Sequence, residues 1–298
     1  MMFDPNYIHN LSQAITAGSA SEQKLTAELA SGLRVSSLSD DPVAVAANTQ
    51  LASSIAHIDA FVQSVGKEQS LLQVTDSTLG EVVRQVTSAL SLAVSASNGT
   101  LNAANRSAIA QQVSDLRDSV VSLANTSYQG KYLFGGSQGN TQPFSQTTAV
   151  TPALATYHGD AVITNITTPE GLKVQTNLPG SAVFQTPGAD LLGSLNQLVA
   201  DISSGSSTSI ATDTAAVTAA LQNVSTQRSV LGSSLNRLNS NSNYAQTQKA
   251  TLQAQQSSLL SADTAQVATD LKSAEVQRQA LLSVVAAVQQ NNLFNYLK

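Results

Sequence analysis

The longest regular pattern in the chain is a row of apolar residues separated by alternating steps of four and three. Ten of its twelve positions are apolar. This spacing places the side chains on one face of an α-helix and is typical of helices that pack along a narrow seam. About 40 residues of helix would span ~60 Å. The sequence therefore predicts a long helical rod with a partner helix. The positions are Leu51, Ile55, Ile58, Val62, Val65, Gln69, Leu72, Asp76, Leu79, Val83, Val86 and Leu90.

The start of this helix is predicted at Pro42, because Asp41 can cap the free amides and proline suits the first helical position. The helix is predicted to end near Asn98-Gly99, and a second helix is predicted to begin after Asn102. The two should form an antiparallel hairpin. The predicted inner face of the second helix carries Ile109, Val113, Leu116, Val120 and Leu123.

The helical pattern returns in the C-terminal half of the chain, after a central stretch that lacks the helical period. A helix is predicted around Leu191 to Ile202, then a Ser/Gly-rich loop over 203–209, then a second long seam that continues weakly to Leu252 and Leu259. The members of this seam are Val217, Leu221, Val224, Arg228, Leu231, Leu235 and Leu238.

Both ends of the chain carry the same alternating step. The N-terminal row is Ile8, Leu11, Ile15, Gly18, Glu22, Leu25 and Leu29, and the C-terminal row is Val267, Leu271, Ala274, Arg278, Leu281, Val285 and Val288. Two helices with one narrow seam each should pair, although the isolated pair would be marginal, so we expect full order only on assembly. The predicted assembly interface is Ile8, Leu11, Ile15, Leu25, Leu281, Val285 and Val288.

Between these helical parts, glycine, proline, threonine and short β-branched runs replace the helical period from Gly130 to about Pro187. Ala161–Ile163 and Leu172–Val174 are the predicted strands. The predicted fold class is mainly α, a long antiparallel helical bundle or coiled coil with a small central β-rich insert. Three domains are expected: a terminal coiled coil (1–38 and 262–298), a helical rod (39–129 and 191–261) and a β-rich outer domain (130–190).

Composition narrows the choice of partners. Only 11% of residues are charged, the net charge is -5, and Lys and Arg are scattered singly, which argues against nucleic-acid and membrane-surface binding. No apolar run reaches membrane-spanning length, and Met1 to Leu11 lacks the pattern of a cleaved signal. The absence of cysteine removes disulfides and thiolate chemistry.

Candidate chemistry is sparse. His9, His57 and His158 lie in three different segments without acidic residues at ligand spacing, so no metal site is expected. Asp40 and Asp41 could form an acid-base pair, but a helix start is favoured. The stretch Gly135–Asn140 resembles a phosphate loop only in its glycines, and a tight turn is favoured. We expect no cofactor and no enzymatic activity.

Two motifs resemble a known family. Ser31-Gly32-Leu33-Arg34-Val35 followed by Ser39-Asp40-Asp41-Pro42 resembles a signature of the flagellin superfamily. Within it, Tyr128–Gly136 and Thr141–Phe144 are similar to the branch at the junction of hook and filament, and so is the ending Leu293–Leu297. The resemblance covers roughly residues 5–145 and 250–298, while the central insert carries no recognised motif.

This resemblance implies a structural subunit of the bacterial flagellum, located outside the cell and exported through the flagellar type III apparatus without a cleaved signal. It would self-associate into an adaptor ring between another hook-associated protein and flagellin, with help from an export chaperone. The alternative is a flagellin filament subunit with the same helical ends. A secreted enzyme with its site in the insert and a generic coiled-coil adhesin or scaffold are weaker alternatives.

Overall fold

The computed structural model describes the backbone of residues 5–98 and 101–294, and the side chains of 9–98 and 101–287. Ile8, Val288, Gly99 and the ending Leu293–Leu297 therefore lie outside the described side chains. The helices are α1 (Pro5–Ser31), α2 (Pro42–Ala96), α3 (Ala103–Ala124), α4 (Gly180–Phe184), α5 (Leu191–Ser204), α6 (Ser207–Leu260) and α7 (Thr264–Phe294).

Eight short strands lie between α3 and α5 and form four antiparallel pairs. They are β1 (Ser127–Tyr128) with β2 (Lys131–Tyr132), β3 (Phe144–Thr147) with β4 (Leu154–Tyr157), β5 (Asn165–Thr167) with β6 (Lys173–Gln175), and β7 (Gln185–Thr186) with β8 (Ala189–Asp190). The predicted fold class is confirmed: the chain is mainly long helices, with a small β-rich insert between α3 and α5.

The chain divides into two compact units, residues 1–56 with 248–298 and residues 57–247. The three-domain division expected from the sequence stays a prediction.

The predicted seam of α2 consists of two rows of residues. In the unit of residues 57–247, one row is buried as predicted and the other is displaced by one position. Ile58, Val65, Leu72, Leu79 and Val86 are buried, as predicted. The accompanying row lies one residue earlier than expected. Its buried members are Phe61, Thr75, Val82, Ala89 and Ala96, whereas Val62, Gln69, Asp76, Val83 and Leu90 are only half-buried.

The same shift occurs on α6. Val217, Val224, Leu231 and Leu238 are buried as predicted, but Ala220 and Ser234 are buried in place of Leu221 and Leu235. Small side chains let two helix backbones approach closely, so Ala89, Ala220 and Ser234 occupy the centre of the contact, while the longer Leu90, Leu221 and Leu235 flank it. The prediction favoured large apolar residues and therefore missed these three positions.

Polar contacts join the flanks of α2 and α6. The amide of Gln69 donates to Asn239 Oδ1 at 2.7 Å, and the guanidinium of Arg228 pairs with the carboxylate of Asp76 at 3.0 Å. Residue numbers rise along α2 as they fall along α6, so the two helices run antiparallel. The two polar positions of the predicted α2 seam are thus contacts to its partner helix.

The start of α3 is as predicted. α3 begins after Asn102, whose side chain accepts a hydrogen bond from the Asn105 N–H. Val113 and Val120 are buried on its inner face, whereas Ile109, Leu116 and Leu123 are half-buried and Ala110, Arg117 and Ala124 are buried instead. α3 packs against α5, which ends at Gly205 in the left-handed conformation with φ 80°. The loop before α6 is therefore shorter than the predicted 203–209.

The insert has its own aromatic core. Phe134, Phe144 and Phe184 are fully buried, and the ring of Phe184 lies edge-on to those of Phe134 and Phe144, with centroids 5.1 and 5.4 Å apart. Lys173–Gln175 confirms one predicted strand. Ala161–Ile163 was wrongly predicted as a strand: its side chains are exposed, and the Val162 N–H is turned toward the Asp160 carboxylate, 3.1 Å away.

Candidate assembly interface

The terminal helices α1 and α7 pack against each other in the unit of residues 1–56 and 248–298. Residue 33 pairs with residue 261 at one end of the contact, and Glu22 meets Arg278 further along, so the helices run antiparallel. The nitrogen Nε of Arg278 lies 2.6 Å from Glu22 Oε2, and its Nη2 donates to Oε1 at 3.3 Å. Both charged residues belong to the predicted seams.

Most of the predicted seam positions face the partner helix. Leu11, Ile15 and Leu25 on α1 are half-buried, and so are Leu281 and Val285 on α7. Leu29 is 37% exposed, and Glu28 takes its place along the row. Five of the seven predicted interface residues are thus half-buried on the two paired helices, and their role in assembly stays a prediction. Ile8 and Val288 lie outside the described side chains.

Outside the seam row, α7 keeps large apolar side chains in contact with solvent. Val276, Leu282 and Val284 are 58, 44 and 41% exposed. A two-helix pair has no further element to cover them. The sequence pattern does not single out these residues, because they lie outside the alternating row that faces α1.

The signature residues at the end of α1 connect the loop between α1 and α2 with the loop between α6 and α7. Gly32 ends α1 with φ 69°, a conformation that glycine adopts without steric cost, and its carbonyl accepts from the Ala262 N–H at 2.9 Å. The Arg34 N–H donates to the carbonyl of Leu260 at 2.8 Å, while its guanidinium donates to Leu259 O at 3.2 Å. The loop from α1 to α2 is thereby fastened to the loop from α6 to α7.

The two adjacent carboxylates of the signature hold the backbone of this loop. Asp40 accepts hydrogen bonds from the Ser36 and Ser37 N–H groups at 3.1 and 2.9 Å, and these bonds hold the pKa of Asp40 well below its usual range. Asp41 accepts from the Ala44 N–H at 3.0 Å, which lowers its pKa. The predicted helix cap at Asp41 is confirmed, and the carboxylates act as backbone acceptors.

The other candidate groups have ordinary roles. The Gly-rich stretch forms a tight turn in which the Gln138 N–H donates to Gly135 O at 3.2 Å. Asp160 accepts from the Ser137 N–H at 2.8 Å, so a carboxylate occupies the place where a phosphate would sit. His158 contacts the Ser145 hydroxyl at 2.7 Å. Among the described residues, no group of three or more His, Asp or Glu side chains could hold a metal ion.

Both helical ends match known sequence families. Residues 6–139 match the bacterial flagellin N-terminal helical region, and residues 214–297 match the bacterial flagellin C-terminal helical region. The chain belongs to the flagellin family. The matched segments contain α1 and α7 and the signature loop, so the pair described above is built from the helical regions that define this family.

Individual relatives of this flagellin-family chain fall into two groups. It is 27% identical to flagellar hook-associated protein 3 of Escherichia coli over 80% of both chains. It is 29% identical to flagellin B of Vibrio cholerae over 40% of this chain and 32% of that one. Its fold is similar to the structure of a flagellar hook-associated protein from Vibrio parahaemolyticus, with TM-score 0.68, 19% identity, and 74% of this chain and 100% of that chain covered.

Along the parts of the chain that the structure describes, none of the helices is both long and apolar enough to cross a membrane.

Proposed function

We propose that this chain is a structural subunit of the bacterial flagellum that forms the ring joining hook to filament. The supporting observation is the extent of similarity: the hook-associated relative matches over 80% of its length, whereas the flagellin relative matches over 32%. The role is mechanical, with no catalytic step and no cofactor. The ring would bind another hook-associated protein on one face and flagellin on the other, outside the cell.

The α1–α7 pair supports this proposal because two paired helices leave part of their apolar surface uncovered. Its seam residues stay half-buried, and Val276, Leu282 and Val284 remain exposed on α7. Apolar surface of this kind marks a contact region. In our proposal α1 and α7 order fully only on assembly, their seam residues Ile8, Leu11, Ile15, Leu25, Leu281, Val285 and Val288 build the inner contact, and the subunit is exported unfolded with a chaperone.

Substitution of Leu281 tests the interface. Leu281→Asp places a charge in the α1–α7 seam, and we expect residues 57–247 to remain folded while incorporation into flagella is lost. Circular dichroism and western blots of purified flagella measure the two effects. Gln279→Asp, an exposed position two residues away on α7, is the matched control and should incorporate normally. Normal motility of the Leu281→Asp strain would refute the proposed role of this seam.

Copy number separates the junction role from the alternative, a flagellin filament subunit. Quantitative mass spectrometry of flagella sheared to different lengths should give a constant number of these chains per flagellum. A number that rises in proportion to filament length would identify a flagellin instead.

A further inference from the structure

Two opposite charges lie within the seam that joins the terminal helices. Glu22 and Arg278 occupy seam positions on α1 and α7, and their side chains are 21 and 36% exposed. The guanidinium makes two contacts with the carboxylate, at 2.6 and 3.3 Å. The seam positions one heptad away are apolar: Ile15 and Leu29 on α1, Leu271 and Val285 on α7.

Apolar seams alone define register poorly, because sliding one helix by a heptad again places apolar residues against apolar residues. Here a slip of seven residues would bring Arg278 opposite Ile15 or Leu29. The same slip would bring Glu22 opposite Leu271 or Val285. Either slip leaves Glu22 partly shielded from water without a cation opposite it, and the slip toward Ile15 does the same to Arg278, which is unfavourable. The slip toward Leu29 brings Arg278 near Glu28 and leaves only Glu22 unpaired.

We propose that the Glu22–Arg278 ion pair sets the register and orientation of the terminal helices and selects α7 over helices without this cation as the partner of α1. A helix with a similar apolar seam but no cation at this position would leave Glu22 unpaired, so the pair discriminates by rejection as well as by attraction. This inference rests on the α1–α7 contact and is independent of the junction role.

Lys272 supplies a matched control, because its ion pair does not join α1 to α7. Lys272 pairs with Glu275 within α7 at 2.8 Å, and its side chain is 77% exposed. This is a helix-surface pair of the i,i+3 kind, whose contribution is small. Lys272→Glu therefore makes the same change of charge on α7 as Arg278→Glu without removing the ion pair to α1.

Charge reversal in the full-length chain tests the proposal. Variants Glu22→Arg, Arg278→Glu, the double reversal and the control Lys272→Glu are compared by hydrogen exchange of the monomer and by incorporation into flagella. Each single reversal should speed exchange in α1 and α7 by on the order of tenfold and reduce incorporation, with residues 57–247 unchanged. The double reversal should restore both readouts, and the control should match the wild type.

The outcomes decide between register selection and a generic surface charge. Recovery by the double reversal in either readout supports the pair, because only a direct interaction is repaired by exchanging the two charges. Single reversals that behave like the control, or a double reversal that recovers in neither readout, would overturn it. Recovery in hydrogen exchange without incorporation at the junction would retain this inference while removing support from the proposed function.

Discussion

The helical core of residues 57–247 and the terminal α1–α7 pair carry the same alternating seam in sequence but bury it to very different extents. Leu79 and Val86 of α2 are 0% exposed, whereas Leu25 of α1 and Leu281 of α7 are only half-buried. The residue types are alike, so the difference comes from the number of neighbouring elements. The spacing of apolar residues in the sequence indicates that a helix packs against a neighbour. It does not indicate how many neighbouring elements cover that helix.

This difference separates stability from assembly. The unit of residues 57–247 contains several helices and the aromatic core of the insert, and we expect it to be stable alone. The terminal pair covers one stripe on each helix and leaves apolar residues of α7 in solvent, and we propose that its further stabilisation comes from other chains. The predictions below test this contrast from the largest expected effect to the smallest.

The largest effect is expected in the aromatic core of the insert. Phe144→Ala removes a fully buried ring that contacts Phe184 and Tyr157, and should lower the local free energy of unfolding by about 3–5 kcal/mol. Leu25→Ala in the terminal pair should cost only ~1 kcal/mol because its side chain is half-buried. Hydrogen exchange measures both. Equal losses would contradict the proposed contrast.

A smaller, stabilising effect is expected at Asp213 of α6. Burial and the neighbouring Asp201 carboxylate raise the pKa of Asp213 to about 6. The folded state therefore holds a proton that the unfolded chain, with a pKa of about 4, releases, and stability falls as pH rises from ~4 to ~6. Asp213→Asn mimics the protonated acid and should stabilise residues 57–247 at pH 7 by on the order of 1–3 kcal/mol.

Thermal unfolding at pH 4 and pH 7 checks this prediction. The wild type should lose stability between the two values, and Asp213→Asn should lose much less. A variant that is less stable than the wild type at pH 7 would contradict it.

The smallest effect is expected in the signature loop. The lowered pKa of Asp40 means that its carboxylate stabilises the loop above pH ~4 and that this contribution is lost as pH falls further. Asp40→Asn should therefore exchange faster than wild type in residues 33–41 at pH 7 and approach it in acid. Asp270→Asn, at an exposed carboxylate on α7, serves as control. Equal exchange rates in Asp40→Asn and wild type at pH 7 would contradict the proposal that the Asp40 carboxylate stabilises this loop.

The order of elements could be predicted because helix starts and helix periods are local signals. Asp41, Pro42 and Asn102 mark helix starts at the residues where the structure has them. The second row of each long seam could not be predicted, since its place depends on how closely a partner helix approaches, and small residues such as Ala89 and Ala220 mark that approach.

The candidate interface was predictable in part for the same reason. The seam rows of α1 and α7 follow from spacing, and Glu22 and Arg278 were recognisable as polar members of those rows. Their pairing was not predictable, because it depends on the antiparallel register of two segments that are 256 residues apart. The Asp160 contact that closes the Gly-rich turn is equally non-local.

The most direct test of the central claim is immunogold electron microscopy of sheared flagella with an antibody against residues 145–190 of the insert. The proposed junction role predicts gold confined to one band where hook meets filament. Continuous labelling along the filament would identify a flagellin, and absence of labelling from flagella that are otherwise intact would contradict both roles.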